Sequence, residues 1–317
     1  MRTTNFETGG EAGPAHTVFA KNRVFTASDG TPIVYAALTG GDRVPIVYVN
    51  GWSCPDAYWA GILPGLVDRG HPALVPDVRG AGHSGLPRAP GFAARNLRPE
   101  DVSVARLGRD VVETLEHAGV ERAVLVGHSM GVQILFEAYR AAPEKVAALV
   151  PTAGAFENPV KSFADLPLLD RLYPFADAIF RLLPFESLQP FLAVVASPAV
   201  AWRFARWAGI GGPKLDAEHL APHMAHLRAV NLSVLWRIMT EMRLHTAADL
   251  LPKIDVPVLI LAGRRDYMAP PSVQQRMHEL IPASEIVWFE EGTHLLPVDE
   301  AEAIVERIYD FLARRVH

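Results

Sequence analysis

Short apolar runs alternate along the chain with longer stretches of helical periodicity. Val44–Val49, Ala73–Pro76, Ala123–Val126, Val146–Val150, Val256–Leu261 and Glu285–Phe289 all read as strands. Runs this apolar suit strands buried on both faces, as in a parallel sheet with helices on each side. Two further strands are predicted before them, over Val18–Phe25 and Pro32–Leu38, joined by a turn at Ser28-Asp29-Gly30.

Between the runs, apolar residues fall on single helical faces. Val104, Leu107, Val111 and Leu115 predict a helix over Val102–Ala118. Leu135, Phe136 and Tyr139 predict another over Val132–Ala142, stopped by Pro143. Ile304, Ile308 and Leu312 mark a last one over Ala301–Arg315. The alternation fails from about Phe156 to Leu250. That interval is rich in Leu, Phe and Trp and is punctuated by Pro167, Pro174, Pro184, Pro190, Pro198, Pro213 and Pro222. It predicts several short helices inserted after the Val146–Val150 strand. The expected division is a loose polar extension at 1–16, an α/β core at 17–155 and 251–317, and a helical cap at 156–250. The N-terminal residues show no apolar stretch of the signal-peptide kind.

The sharpest chemical signal is Val124–Tyr139, where a strand, Gly127-His128-Ser129-Met130-Gly131 and a helix follow in succession. Serine between spaced glycines is a weak pattern alone; the strand before and the helix after give it meaning. The turn is so tight that a β-carbon at the flanking positions would clash, and the serine is held in a strained conformation with its hydroxyl exposed. The helix that follows points its positive dipole end at the reacting centre.

A serine hydroxyl needs a base, and the base needs an orienting acid. In an open α/β sheet both belong at the C-terminal ends of later strands. The Val256–Leu261 run leads into Gly263-Arg264-Arg265-Asp266, and Glu285–Phe289 leads into Gly292-Thr293-His294. Ser129, Asp266, His294 is the chain order expected of such a set. Glu157, just past Val146–Val150, is the competing acid. Among the other histidines, His128 is adjacent to the serine and so points elsewhere, and His83 follows an earlier strand.

Composition narrows the partners. A net charge of -5 and a pI near 6.2, with no basic run, give no support to a nucleic-acid partner. A single cysteine excludes an internal disulfide framework and fits a reducing cytosol, so a cytoplasmic location is expected. The longest uncharged stretch, Ser187–Trp202, falls short of the roughly 20 apolar residues a membrane span needs, and it contains Pro190 and Pro198. His219, His223 and His226 share helical spacing, but Pro222 should interrupt that helix and no nearby carboxylate completes a zinc pattern. No metal is expected, and no cofactor, since no phosphate loop or dinucleotide fingerprint is present.

With GHSMG at Gly127–Gly131, AGRRD at Ala262–Asp266 and EGTH at Glu291–His294, the chain resembles the α/β-hydrolase superfamily in its capped, esterase-like branch. The resemblance runs from about Val18 to Val316. PDVRGAGHSG, Pro76–Gly85, resembles the family's D-x-R-G-x-G-x-S loop, which implies that Asp77, Arg79 and Ser84 brace the site rather than react.

The resemblance implies Ser129 as nucleophile, His294 as base and Asp266 as acid. Relatives that open epoxides or displace halide carry Asp at the elbow, so Ser129 implies acyl transfer through a serine ester. The oxyanion hole would use the backbone N–H of Met130 and that of Trp52, from the loop VNGWSC after the Val44–Val49 strand. The family commonly reads His-Gly-x there. This chain reads Asn50-Gly51-Trp52, and Asn50 is expected to hold the turn rather than donate to the oxyanion. Ser53 and Cys54 lack any such partner pattern, and Cys54 is expected to be a buried bystander.

The implied function is hydrolysis of carboxylic esters of small apolar or aryl substrates. Phe163, Phe175, Phe180, Phe185, Trp202, Trp207 and Trp236 would either line an apolar pocket or dock the cap on the core. The same triad would serve an acyltransferase, a cofactor-free haloperoxidase or a hydroxynitrile lyase. A small-molecule receptor with a vestigial triad would share the fold. A histidine base predicts that activity rises with pH through about 6–7, which a pH–rate profile on a simple ester checks.

Overall fold

The computed structural model describes residues 18–87, 96–165, 168–182, 197–207 and 217–316. The apolar runs form an eight-stranded sheet in the order β1-β2-β4-β3-β5-β6-β7-β8. The strands are β1 (Arg23–Thr26), β2 (Pro32–Leu38), β3 (Ile46–Val49), β4 (Ala73–Pro76), β5 (Ala123–His128), β6 (Val146–Thr152), β7 (Val258–Gly263) and β8 (Ser284–Phe289). β2 is antiparallel to β1 and to β4, and every other neighbouring pair is parallel.

The strand predicted at Val18–Phe25 is shorter and later than expected, because the residues before it are engaged elsewhere. Lys21 Nζ turns inward to Asp77 at 2.8 Å and Asp56 at 3.3 Å, and the Val18 N–H donates to Asp56. At the opposite edge, β8 is half-buried along its whole length rather than covered on both faces.

Side chains alternate along the central strands. Val47, Val49 and Leu125 face one core layer with Leu107 and Leu115 of helix α2 (Val104–His117) and Leu135 and Phe136 of α3 (Met130–Ala141). Ile46, Tyr48, Val124 and Val126 face the other, with Leu63 and Leu66 of a helix labelled α1 (Leu63–Val67) and Ile308 and Phe311 of α9 (Ala301–Arg315). Each such side chain stabilises the fold by about 1.5–3 kcal/mol through burial. Ser103 starts α2 by accepting the Arg106 N–H on its hydroxyl, an N-cap. The last helix has the bounds its periodicity predicts.

Between β6 and β7 lie α4 (Leu168–Leu182), α5 (Pro198–Trp207), α6 (Ala217–Ala229) and α7 (Leu232–Leu244), followed after β7 by α8 (Pro271–Leu280). Pro174 and Pro222 sit inside α4 and α6, contrary to the expected break at Pro222. A proline removes one backbone bond, and tertiary packing can hold the helix through it. Here Leu220 and Met224, on either side of Pro222, are both buried. The expected extension at 1–16 and Phe185 lie outside the described residues. Among the described residues no helix is long and apolar enough to cross a membrane.

The Pro76–Gly85 loop is fixed by Arg79, which is fully buried. Its guanidinium meets both Asp110 oxygens and Asp29 at 2.6 Å and the Asp101 carbonyl at 2.8 Å. Ser84 Oγ donates to the Asp77 carbonyl and accepts the Val34 N–H, tying the loop to β2. Breaking a buried ion pair from one side leaves the other charge short of a partner. Arg79→Leu should therefore lower the unfolding free energy by about 3 kcal/mol in denaturant titration, and a change under about 0.5 kcal/mol would contradict this bracing.

Candidate active site

β5 ends directly in Ser129, which caps α3 with φ 55° and ψ -118°, a left-handed backbone rare for serine. Crowding explains why. The first turn of α3 lies so close to β3 that a β-carbon on Gly131 would overlap the Val49 carbonyl oxygen. The chain must reverse from strand to helix within one residue, and Ser129 absorbs the turn.

Asp266 follows β7 and His294 follows β8. His294 Nε2 lies 2.9 Å from Ser129 Oγ, and its Nδ1 lies 3.1 Å from each Asp266 carboxylate oxygen. Asp266 is 1% exposed and also accepts the N–H groups of Met268 and Ala269 at 2.9 and 2.8 Å. The carboxylate faces Nδ1 of His294, so that Nδ1–H can donate to it and Nε2 is left able to accept the serine proton. Glu157, the competing acid, is not at His294. It forms a bridge to Thr246.

The loop after β3 passes over Ser129. A β-carbon on Gly51 would stand 2.9 Å from both Ser129 Cβ and Cys54 Sγ. The Cys54 N–H closes the turn onto the Gly51 carbonyl, and Ser53 takes a left-handed φ of 58°. Trp52 and Met130 line the same cavity as Ser129 and His294. As the first residue of α3, Met130 has a backbone N–H without an intrahelical acceptor.

A family model described as alpha/beta hydrolase fold matches residues 44–301. The chain belongs to the α/β-hydrolase fold family. This α/β-hydrolase is 27% identical over 298 residues to the uncharacterized hydrolase YugF of Bacillus subtilis (strain 168), spanning 92% of this chain and 97% of that one. It is similar to the solved esterase EaEST from Exiguobacterium antarcticum, with TM-score 0.68 and 22% identity over 92% of this chain and 98% of the esterase. It is also similar to a bromoperoxidase from Bacillus anthracis, with TM-score 0.71 and 18% identity over 92% of this chain and 100% of that one. At these identities the solved structures show the fold alone.

In this α/β-hydrolase Asn50 is 4% exposed, and its Oδ1 accepts the indole N–H of Trp59 at 2.6 Å. Cys54 is half-buried and lines the cavity rather than being fully buried as expected, but desolvation pushes its thiol pKa up to about 12, which disfavours a thiolate near neutrality. Two links escaped sequence reasoning. His128 Nε2 lies 2.8 Å from the His294 carbonyl and so joins the elbow to the histidine loop. Burial pushes its pKa down to about 3, so the ring is neutral and donates this bond. Gln133 donates its Nε2 to the carbonyls of Glu157 and Met242. Its position one helical turn after Ser129 was the available signal.

A cavity of about 510 Å³ opens at Ser129. Its wall is apolar, and of the two uses expected for the aromatics most of those described serve packing. Of the predicted aromatics only Phe163 lines it among the described side chains. Phe175 is 71% exposed, Phe180 and Trp236 stack on each other, and Trp202 packs in a small cluster with Leu220 and Leu295. The Trp207 side chain lies outside the described residues. Instead, Met130, Met224, Met239, Met242 and Met268, five of the seven methionines in the chain, line the space. Their unbranched thioethers adapt to varied ligand shapes.

Asn50→Ala should cost about 1–3 kcal/mol of stability, because it strands the buried Trp59 indole N–H. Thermal unfolding with kinetics on one ester checks this. A kcat loss as large as that of a missing oxyanion donor, at unchanged stability, would contradict it.

Proposed function

We propose that this α/β-hydrolase cleaves carboxylic esters of apolar or aryl substrates through an acyl-enzyme on Ser129. The observation that carries the reading is the unbroken relay from Ser129 Oγ through His294 to Asp266. Ser129 Oγ attacks the ester carbonyl carbon while its proton passes to His294 Nε2. The carbonyl oxygen becomes an oxyanion, held by the backbone N–H groups of Met130 and Trp52, each donor contributing about 10²–10³ in rate. His294 returns the proton to the departing alkoxide, which leaves as an alcohol. Water then gives a proton to His294 and adds to the acyl carbon. Collapse releases the acid and restores Ser129 as His294 hands the proton back. Throughout, Asp266 keeps the imidazole in the Nδ1–H tautomer and stabilises its cation.

The helices between β6 and β7, over residues 156–250, act as the cap. The apolar wall supports an apolar acyl or alcohol group, and a methionine-rich wall supports tolerance of chain length. The similarity to a solved esterase agrees with this chemistry.

A panel of p-nitrophenyl esters of increasing acyl length tests the reading. Steady turnover is expected, and Ser129→Ala should lower kcat by at least about 10⁴-fold. Turnover indifferent to Ser129→Ala, or a single burst without turnover, would contradict it.

A further inference from the structure

Away from Ser129 and His294 the cavity wall carries few hydrogen-bonding side chains, and among the described residues no Asp, Glu, Lys or Arg lines it. One pair is not accounted for by the ester chemistry. Tyr58 of the core and His223 of α6 both line the cavity, with Tyr58 Oη 2.9 Å from His223 Nδ1 and their rings stacked 5.7 Å apart. Leu220 and Leu295 pack around Tyr58, so the pair stands in an otherwise apolar lobe. His223 is half-buried, and its Nε2 has no hydrogen-bond partner among the described residues.

The chemistry of the pair follows from its two tautomers. If Tyr58 donates to Nδ1, His223 offers Nε2–H as a donor and the phenol oxygen keeps a free lone pair. If Nδ1–H donates to Tyr58, the phenol hydrogen is free to donate and Nε2 accepts. Either way the pair presents one donor and one acceptor. Burial pushes the His223 pKa down to about 4, so the ring is neutral near neutral pH. A charged group entering this lobe would lose its hydration, and no charged side chain among the described residues lines the wall to pair with it. A wholly apolar group would cover the His223 nitrogen and leave it unpaired. An uncharged hydrogen-bonding group suffers neither loss.

We propose that Tyr58 and His223 form a polar subsite that selects esters carrying one uncharged hydrogen-bonding group, a hydroxyl, carbonyl or amide, apart from the ester itself. The subsite rests on the ester-hydrolase reading of Ser129 and names its substrate class. Tyr58 packs edge-on against His128 at 5.6 Å, and the His128 ring lies 5.2 Å from that of His294. Two ring contacts thus connect the subsite to the base.

The test uses matched esters. p-Nitrophenyl hexanoate is compared with its ω-hydroxy and ω-acetamido analogues, and hexyl hexanoate with the mono-hexanoate of hexanediol, so that both sides of the ester are probed. kcat/KM is measured for the wild type, Tyr58→Phe, His223→Phe and His223→Gln, with active sites counted by fluorophosphonate titration to correct for misfolded protein. The wild type should favour at least one polar member of a pair by about tenfold, the size of one net hydrogen bond. That ratio should fall towards one in Tyr58→Phe and His223→Phe and return in part in His223→Gln, which keeps a donor and an acceptor. A wild-type ratio near one on every pair would overturn the subsite, as would a ratio that the phenylalanine variants leave unchanged. A tie that merely holds cap to core would lower both members of a pair equally and also overturn it. The two readings separate cleanly. Hydrolysis of plain esters, lost in Ser129→Ala, upholds the hydrolase even if the polar ratio is one, whereas no ester turnover by the wild type overturns both.

Discussion

The site depends on one close approach, between the first turn of α3 and the end of β3. Gly131 has no room for a β-carbon beside the Val49 carbonyl, and Gly51 has none beside Ser129. These contacts force the reversal at Ser129 into a left-handed backbone and bring the Asn50–Cys54 loop over the serine. The strain at Ser129 is tolerated because the parallel strands β3, β5 and β6 and helix α3 are locked in the core. Their packing sets where the hydroxyl stands. The later strands then need only deliver a histidine and a carboxylate to that point.

Much of the core was legible because its signals are local. The apolar runs that became β3 to β7 are buried on both faces, so they show in the chain as short uninterrupted apolar stretches rich in Val, Leu, Ile and Ala. Gly127-His128-Ser129-Met130-Gly131 declares itself as a short pattern set between a strand and a helix, although the contact that excludes a β-carbon at Gly131 comes from Val49 on a distant strand. Asp266 and His294 could be placed because each follows a strand directly. What stayed hidden depends on contacts between distant residues. The inward turn of Lys21, which displaces the first strand, requires Asp56 and Asp77. The bond from Trp59 to Asn50 makes the asparagine a buried acceptor, which agrees with a bracing role but could not be read from the loop.

The region between β6 and β7 was the least legible for a physical reason. Its aromatics are equally suited to packing and to a pocket, and periodicity does not separate the two. Phe180, Tyr173 and Trp236 stack among themselves, and Trp236 donates to Asp177, so they hold helices together. Trp52 reaches the other way, its indole N–H donating to the Leu235 carbonyl of α7. The loop over Ser129 is thereby fastened to a helix of the proposed cap. The spaced histidines suggested a metal only as a pattern; in three dimensions His223 faces Tyr58 across the cavity wall, and its meaning lies in that partner.

The proposed mechanism passes through an ester on Ser129. Acid quenching during turnover of p-nitrophenyl hexanoate, followed by peptide mapping, measures this directly. A hexanoyl group is expected on the peptide carrying Ser129 and on no other. A hexanoyl group on Ser53 or Cys54, or turnover with no acylated peptide even in a variant slowed at deacylation, would contradict it.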